Sequence, residues 1–347
     1  MTRVFHLASD LGPTAAGKQL SLLVPGLAAA GFTPAVGVLG EPTPFAGAVA
    51  AAGVPVLRLP IRHALDANGA AAAARAVVGF GPDVVHAWGP AAVRVCAALR
   101  LAGRVTGVRP GVVVTGRGGR PPGDVGRLAW RAVAPAAWTD LPLAVAPAPP
   151  PADAAEFRRA VGVPDSARLV VAAGRFDAAS GLKHAVWAFD VLKYAARDVY
   201  LVLVGDGPER GRTARFSRAI GFDDDRVRFA GTRPDLPAVF GLAEVAWVTH
   251  QRGGANVALE AMAAGVPVVG FDTPAVASVV DDGATGRLVP PGDRVRLAAV
   301  TGDLLDDPAA RARLGAAARA AAARFPPGVV VDRFARIYHD VIPGGRT

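Results

Sequence analysis

The run Gly253–Gly270, GGANVALEAMAAGVPVVG, decides how this chain is read. Two glycines open a helix, Glu260 sits two turns into it, and a Gly-x-Pro turn leads into an apolar strand. Small residues at a helix N-terminus leave backbone N–H groups and the positive end of the dipole exposed, an arrangement that suits a diphosphate. A carboxylate further along the same face accepts hydrogen bonds, which suits hydroxyls such as those of a ribose. The position eight residues before Glu260, where a second carboxylate would be expected, holds Arg252.

Outward from this stretch, short apolar strands alternate with amphipathic or Ala-rich helices, the pattern of parallel α/β layers. In the first half the pattern predicts strands near 3–8, 34–39, 54–58, 83–87, 111–115 and 142–146. Helices are predicted near 17–30, 44–52, 66–79, 90–102 and 124–134. The Pro-rich run 147–155, PAPPPADAA, reads as a linker. A second series follows, with strands near 167–173, 199–204, 226–230, 245–249, 267–270 and 287–289. Its helices are predicted near 181–195, 208–220, 235–242, 255–264 and 308–323. In VVVDRFARIYHDVI, Val330, Phe334, Ile337 and Val341 share one face, so the last segment is an amphipathic helix.

The expected organisation is a shortened acceptor-side domain over 1–150 and a ligand-binding domain over 151–325. A C-terminal helix within 326–347 packs back across the domains. Two such doubly wound halves are expected to face a cleft at the C-terminal ends of their strands, where ligands bind.

Composition excludes several classes. At 347 residues, with 52% hydrophobic and 19% charged, the chain is long and apolar enough for two cores and is not disordered. Thirty-five of its 38 basic residues are Arg, with Lys only at 18, 183 and 193, which points to codon bias rather than to nucleic-acid binding. The excess charge is nevertheless uneven: residues 1–150 carry +7 and the remainder +2. A basic N-terminal half predicts peripheral contact with an anionic membrane face. The single Cys96 rules out an internal disulfide and reads as a small core residue. Residues 19–40 are uncharged, yet Pro25, Gly26, Gly31 and Pro34 divide them, so no membrane span is expected. A strand beginning at Val4 leaves no room for a signal peptide, and the expected location is cytoplasmic, with peripheral contact at the inner membrane face through that basic half.

Two nucleotide motifs come close and fail. GPTAAGKQ, from Gly12 through Gly17 to Gln19, lacks the hydroxyl with which a phosphate loop holds magnesium. It reads instead as a Gly-rich loop contacting substrate. The dinucleotide fingerprint is absent after either first strand; Gly205 and Gly207 in VGDGPER come close, but Arg210 stands where the third glycine belongs.

In the second half, Gly174-Arg175 follows LVVAAG, then come VLVGDGPER, VRFAGTRPD, the Gly253–Gly270 run and DDGATGRLVPPGD. In this order and spacing they resemble the C-terminal domain of the retaining GT-B glycosyltransferases of family 4, over roughly residues 165–325. HLASDLGPTAAGKQLSLLVPGLAAAGF and PDVVHAW resemble that family's opening strand, acceptor loop and fourth strand more loosely. The resemblance implies an α/β GT-B fold and a donor diphosphate held by Arg175 and by the amides of Gly253, Gly254, Ala255 and Asn256. It further implies a donor ribose bound by Glu260 and a base beside Gly231 and Arg233.

Three positions depart from the family pattern. Arg252 replaces the first carboxylate of Glu-x7-Glu, Ser180 replaces a Lys, and Arg117 stands where a His contacts the donor sugar. Arg252 could itself meet the leaving diphosphate, and Lys183 could replace the missing Lys only in a rearranged loop. His86 is read as structural. Losing one group that meets developing charge typically costs about 10²–10³ in rate. The expectation is a metal-independent hexosyl-type transferase without cofactor, acting on a nucleotide sugar and a glycan or lipid-linked acceptor. The alternatives are a degenerate GT-B protein that binds without transfer and a nucleotide-sugar epimerase.

Overall fold

A computed structural model describes residues 1–12, 15–40, 44–63, 66–106, 110–115, 137–139, 143–221 and 226–342. The chain divides into two compact units: residues 1–144 with 327–347, and residues 145–326.

The first unit runs β1 (Arg3–Ala8), α1 (Ala15–Ala29), β2 (Thr33–Val38), α2 (Pro44–Ala51), β3 (Val56–Arg58) and α3 (Ala67–Phe80). It continues with β4 (Val84–Trp88), α4 (Pro90–Thr106), β5 (Gly111–Thr115) and β6 (Ala137–Thr139). All neighbouring strands pair in parallel, in the order β3-β2-β1-β4-β5-β6. The central strands are buried on both faces, which is why they read as continuous apolar runs rather than alternating ones.

The second unit runs α5 (Ala154–Val161), β7 (Arg168–Ala173), α6 (Leu182–Ala195), β8 (Val199–Val204), α7 (Arg210–Gly221), β9 (Val227–Gly231) and α8 (Leu236–Phe240). There follow β10 (Val245–Val248), α9 (Ala255–Ala263), β11 (Val268–Phe271), α10 (Pro274–Ala277), β12 (Gly286–Val289), α11 (Arg294–Asp306) and α12 (Pro308–Ala322). Its sheet order, β12-β11-β10-β7-β8-β9, repeats the topology of the first. In each sheet the first strand lies between the second and the fourth, so each unit has one switch point where the winding reverses. Open parallel sheets bind ligands there, beyond the strands' carboxyl ends.

The last helix, α13 (Pro327–Val341), belongs to the first unit, where it packs on α1 and β5. Val330, Val331, Phe334 and Tyr338 are its buried positions. Phe334 stacks on His86, whose Nδ1 lies 2.7 Å from the Tyr338 hydroxyl and whose Nε2 lies 2.7 Å from Thr115 Oγ1. Trp88 Nε1 donates to His6 Nδ1 at 3.2 Å in the same buried group. Both His86 nitrogens are therefore engaged within the core, the structural role read for it, and Cys96 is buried.

Three expectations change. The strand expected at 142–146 does not form over the described residues 143–146. There the Ala144 backbone exchanges two hydrogen bonds with the Gln19 side chain, and Val145 N–H donates to Phe325 rather than to a sheet neighbour. The linker stretch runs straight into α5, capped by Asp153 accepting from Glu156 N–H. Helix α11 had no counterpart in the sequence pattern; Asp293 caps it, and Leu297, Ala298, Thr301, Leu304 and Leu305 form its buried face. The helix expected at 124–134 lies outside the described residues, as does Arg117.

Candidate functional site

The switch point of the second unit lies between β7 and β10. The loops that follow these two strands are tied to each other. Gln251 and Arg252 N–H groups both donate to the Ala179 carbonyl, at 2.9 and 3.3 Å, and Thr249 Oγ1 donates to the Ser180 carbonyl at 3.2 Å. Gly181 approaches the Thr249 carbonyl so closely that a Cβ could not be accommodated. Asp177 organises the first loop, its Oδ1 accepting from Ala179 and Ser180 N–H groups. On the β8 side, Phe176 N–H donates to the Asp206 carbonyl, and a Cβ on Gly205 would collide with the Gly174 carbonyl. These loops form one stitched platform above the sheet.

Helix α9 opens on this platform. Gly253 and Gly254 have φ of 78° and 95°, a left-handed pair that only glycine adopts without strain. Gly254 caps the helix with no side chain over its amides, and Ala255 follows as a buried residue. Asn256 is half-buried in the first turn. Glu260 lies further along α9 with 7% of its surface exposed.

Arg175 leaves the end of β7 with its side chain 57% exposed, Nε 3.7 Å from Asp177 Oδ2. Its guanidinium is thus only loosely held, on the loop that is tied to the one opening α9. Arg252 is likewise exposed, on the loop that precedes α9. Arg175, Arg252, Gly253, Gly254, Ala255, Asn256 and Glu260 all belong to the two loops at the switch point or to α9.

The β9 end holds the other pair. Gly231 closes β9, and Arg233 donates through Nε and Nη2 to the two Asp235 oxygens at 2.8 and 2.7 Å, with its plane over Phe157. This ion pair raises the Arg233 pKa and lowers that of Asp235. The Arg233 guanidinium is therefore held between Asp235 and Phe157.

Gly12 and Gly17 lie in the first unit. Gly12 N–H donates to Asp10 Oδ1, and Gly17 packs so tightly on the Gly12 carbonyl that a Cβ would overlap it. The buried Gln19 that spoils the phosphate-loop pattern explains itself: it is the residue that fastens α1 to Ala144.

Two of the altered positions now have surroundings. Ser180 is buried, and its hydroxyl donates to the Asp177 carbonyl at 3.1 Å. Lys183 points to α7, with Nζ 4.6 Å from the Phe216 ring centroid, so the loop is not rearranged to bring it to α9. The sequence reading missed His250, which directly precedes the Gln-Arg-Gly-Gly turn. Its ring is buried, its Nδ1 has no hydrogen-bond partner, and burial pushes its pKa down to about 4 despite the nearby Asp177 carboxylate. A lone His after an apolar strand carries no sequence signal of this kind. Among the described residues no group of three His, Cys, Asp or Glu side chains could hold a metal ion.

Two units of Rossmann-type topology, with this platform in the second, define the GT-B class. The chain superposes on Anabaena HepE in complex with UDP-glucose with a TM-score of 0.80, at 18% identity, covering 97% of this chain and 99% of that one. It superposes on sucrose-phosphate synthase from Thermosynechococcus elongatus with a TM-score of 0.76, at 19% identity, covering 98% and 99%. Within this fold, residues 167–307, all of them in the second unit, match the family model described as Glycosyl transferases group 1. Among curated proteins, the alpha-D-kanosaminyltransferase of Streptomyces kanamyceticus is 31% identical over 54% of this chain and 49% of its own length. The phosphatidyl-myo-inositol mannosyltransferase of Mycobacterium leprae is 32% identical over 53% and 50%. The chain thus spans about half the length of the curated relatives it matches.

Proposed function

We propose that this protein is a retaining, metal-independent glycosyltransferase of the family 4 type with a divergent active site. It transfers a hexosyl group from a nucleotide-diphosphate sugar to a glycan or lipid-linked acceptor. The observation that carries this reading is the platform at the β7/β10 switch point, where the loop after β7, which bears Arg175, is hydrogen-bonded to the loop that opens α9, the helix that carries Glu260.

Each group has a task set by its chemistry. The exposed Arg175 guanidinium and the α9 amides hold the diphosphate and meet the charge that develops as the sugar C1–O bond breaks. Glu260 accepts hydrogen bonds from the ribose hydroxyls, and the fixed Arg233–Asp235 pair walls the base side together with Gly231. The acceptor oxygen adds to C1 on the face the diphosphate leaves, and its proton passes to the departing phosphate oxygen. Arg252, exposed before α9, replaces from the other side the cation that Ser180 cannot supply. The acceptor is assigned to the first unit, near the Gly12–Gly17 loop. The +7 balance of residues 1–150 favours a lipid-linked acceptor at an anionic surface. No described helix is long and apolar enough to cross a membrane.

Titration of the full chain with UDP-, GDP- and ADP-sugars, followed by assays for slow hydrolysis and transfer, tests the reading. Binding of one donor with turnover that falls in Arg175→Ala supports it. Failure to bind any of them contradicts it. Binding without turnover, unchanged by Arg252→Glu, would favour the reading in which the buried Ser180 and diverted Lys183 mark a protein that binds without transfer.

A further inference from the structure

His250 lies between two glycine turns of the platform. A Cβ built on Gly174 would lie 3.1 Å from His250 Nε2 and 3.2 Å from Cε1, so the β7 turn passes directly over that edge of the ring. A Cβ built on Gly254 would lie 2.8 Å from His250 Cβ and 2.9 Å from Cγ, so the cap of α9 rests on the other end of the residue. The imidazole is thus flanked by Gly174-Arg175 and by Gly253-Gly254, the two elements that hold the diphosphate in the proposed function. His250 is 8% exposed, and its Nδ1 has no hydrogen-bond partner. Buried polar nitrogens without partners are rare in folded proteins and call for an explanation.

We propose that His250 is a diphosphate-contacting residue, whose Nε2–H donates a hydrogen bond to a diphosphate oxygen of the donor between the two glycine turns. This rests on the donor-site reading above and adds to it a residue that the family pattern does not supply. The choice of tautomer follows from the surroundings. A buried N–H without an acceptor is costlier than a buried bare nitrogen, so the partnerless Nδ1 is the unprotonated one and Nε2 carries the proton. Nε2 is also the nitrogen beside Gly174. Neighbouring Asp177 is already engaged by two loop amides, which keeps its Oδ1 directed at the loop rather than at the ring. Burial keeps the ring neutral in working conditions, so it adds a directed hydrogen bond without adding charge. In a site where Ser180 contributes no cation, that bond helps to fix which diphosphate oxygens face Arg175. A Cβ at Gly254 would press on His250 at 2.8 Å and one at Gly174 would crowd it at 3.1 Å, so glycine at both positions leaves the ring its place.

The test uses the full chain, with UDP, GDP and ADP as probes and UMP, GMP and AMP as controls. In the wild type, long-range ¹H–¹⁵N NMR of His250 should show a bare Nδ1 and a protonated Nε2. The Nε2 resonance should shift when the matching diphosphate saturates the protein and stay near its free position with the monophosphate. By calorimetry, His250→Ala should lose about tenfold or more in diphosphate affinity with little change for the monophosphate, the scale of a hydrogen bond to a charged group. His250→Gln, whose side-chain amide can reach the Nε2 position, should recover part of that loss. The NMR result in the wild type decides the matter if His250→Ala does not fold. A wild type that binds no nucleoside diphosphate removes the donor-site reading and this proposal together. A wild type that binds one, with an unmoved Nε2 resonance and an unchanged preference for diphosphate over monophosphate in both variants, overturns the role of His250 alone.

Discussion

Arg175 and Ser180 are five residues apart, yet their environments are opposite: one is mostly exposed at the end of β7, the other buried under its own loop. Sequence alone identifies Ser180 as a lost cation, but it cannot show that the position has been turned inward, because the hydrogen bond to Asp177 depends on the loop's path. The consequence is testable. Restoring the charge with Ser180→Lys should not restore a donor contact; forcing a long charged side chain into the buried position should destabilise the protein by at least about 1–3 kcal/mol in urea unfolding. Arg175→Ala should leave stability within about 0.5 kcal/mol, as expected for an exposed side chain, while weakening nucleoside diphosphate binding about tenfold or more by calorimetry. His250 was invisible for the reverse reason. Its significance lies in what surrounds the ring, and that is set by glycines 76 residues away and four residues away in the chain.

At the level of elements, most strands and most helices were legible because buried parallel strands are continuous apolar runs and the glycines mark their ends, but β6 at Ala137–Thr139 was not, and a strand was expected instead at 142–146. Helix α11 was not, because it follows Pro-Pro-Gly and opens on Arg294-Val295-Arg296, which masks the spacing of Leu297, Thr301 and Leu304. Helix α13 was legible as amphipathic, but the residue that fastens it, Tyr338, was not on the face picked out by spacing. Tyr338→Phe should cost about 1–3 kcal/mol in urea unfolding, since it leaves buried His86 Nδ1 without its partner. The same group sets a pH response. Burial holds His6 down to about 3 and holds His86 well below the usual range. Below about pH 6.5 the unfolded chain takes up protons at these rings and the native chain does not. Stability is therefore full above about 6.5 and is lost as pH falls toward 3, at up to about 1.4 kcal/mol per pH unit for each ring. Thermal unfolding of the wild type and of His6→Phe between pH 5 and 7 measures it; a pH-independent midpoint in this window would contradict the account.

For the whole molecule, sequence reading succeeded unevenly. In the second unit the strand ends carry short polar or glycine motifs, and these motifs made its order of elements readable. The first unit offered a fold but little chemistry: its buried polar residues, Gln19, His6, His86 and Thr115, serve its own packing. Its basic balance carries the proposed contact with an anionic surface, and binding to anionic vesicles should weaken with rising salt and be absent on zwitterionic ones. The central claim lies in the second unit, that the β7/β10 switch point holds a nucleoside diphosphate. Hydrogen exchange of the full chain, with and without saturating UDP, GDP or ADP, tests it most directly. One of the three should slow exchange in the backbone amides of residues 174–181 and 249–257 while leaving the first unit's β1 and β4 unchanged. Unaltered exchange in both segments with all three nucleotides would contradict the account.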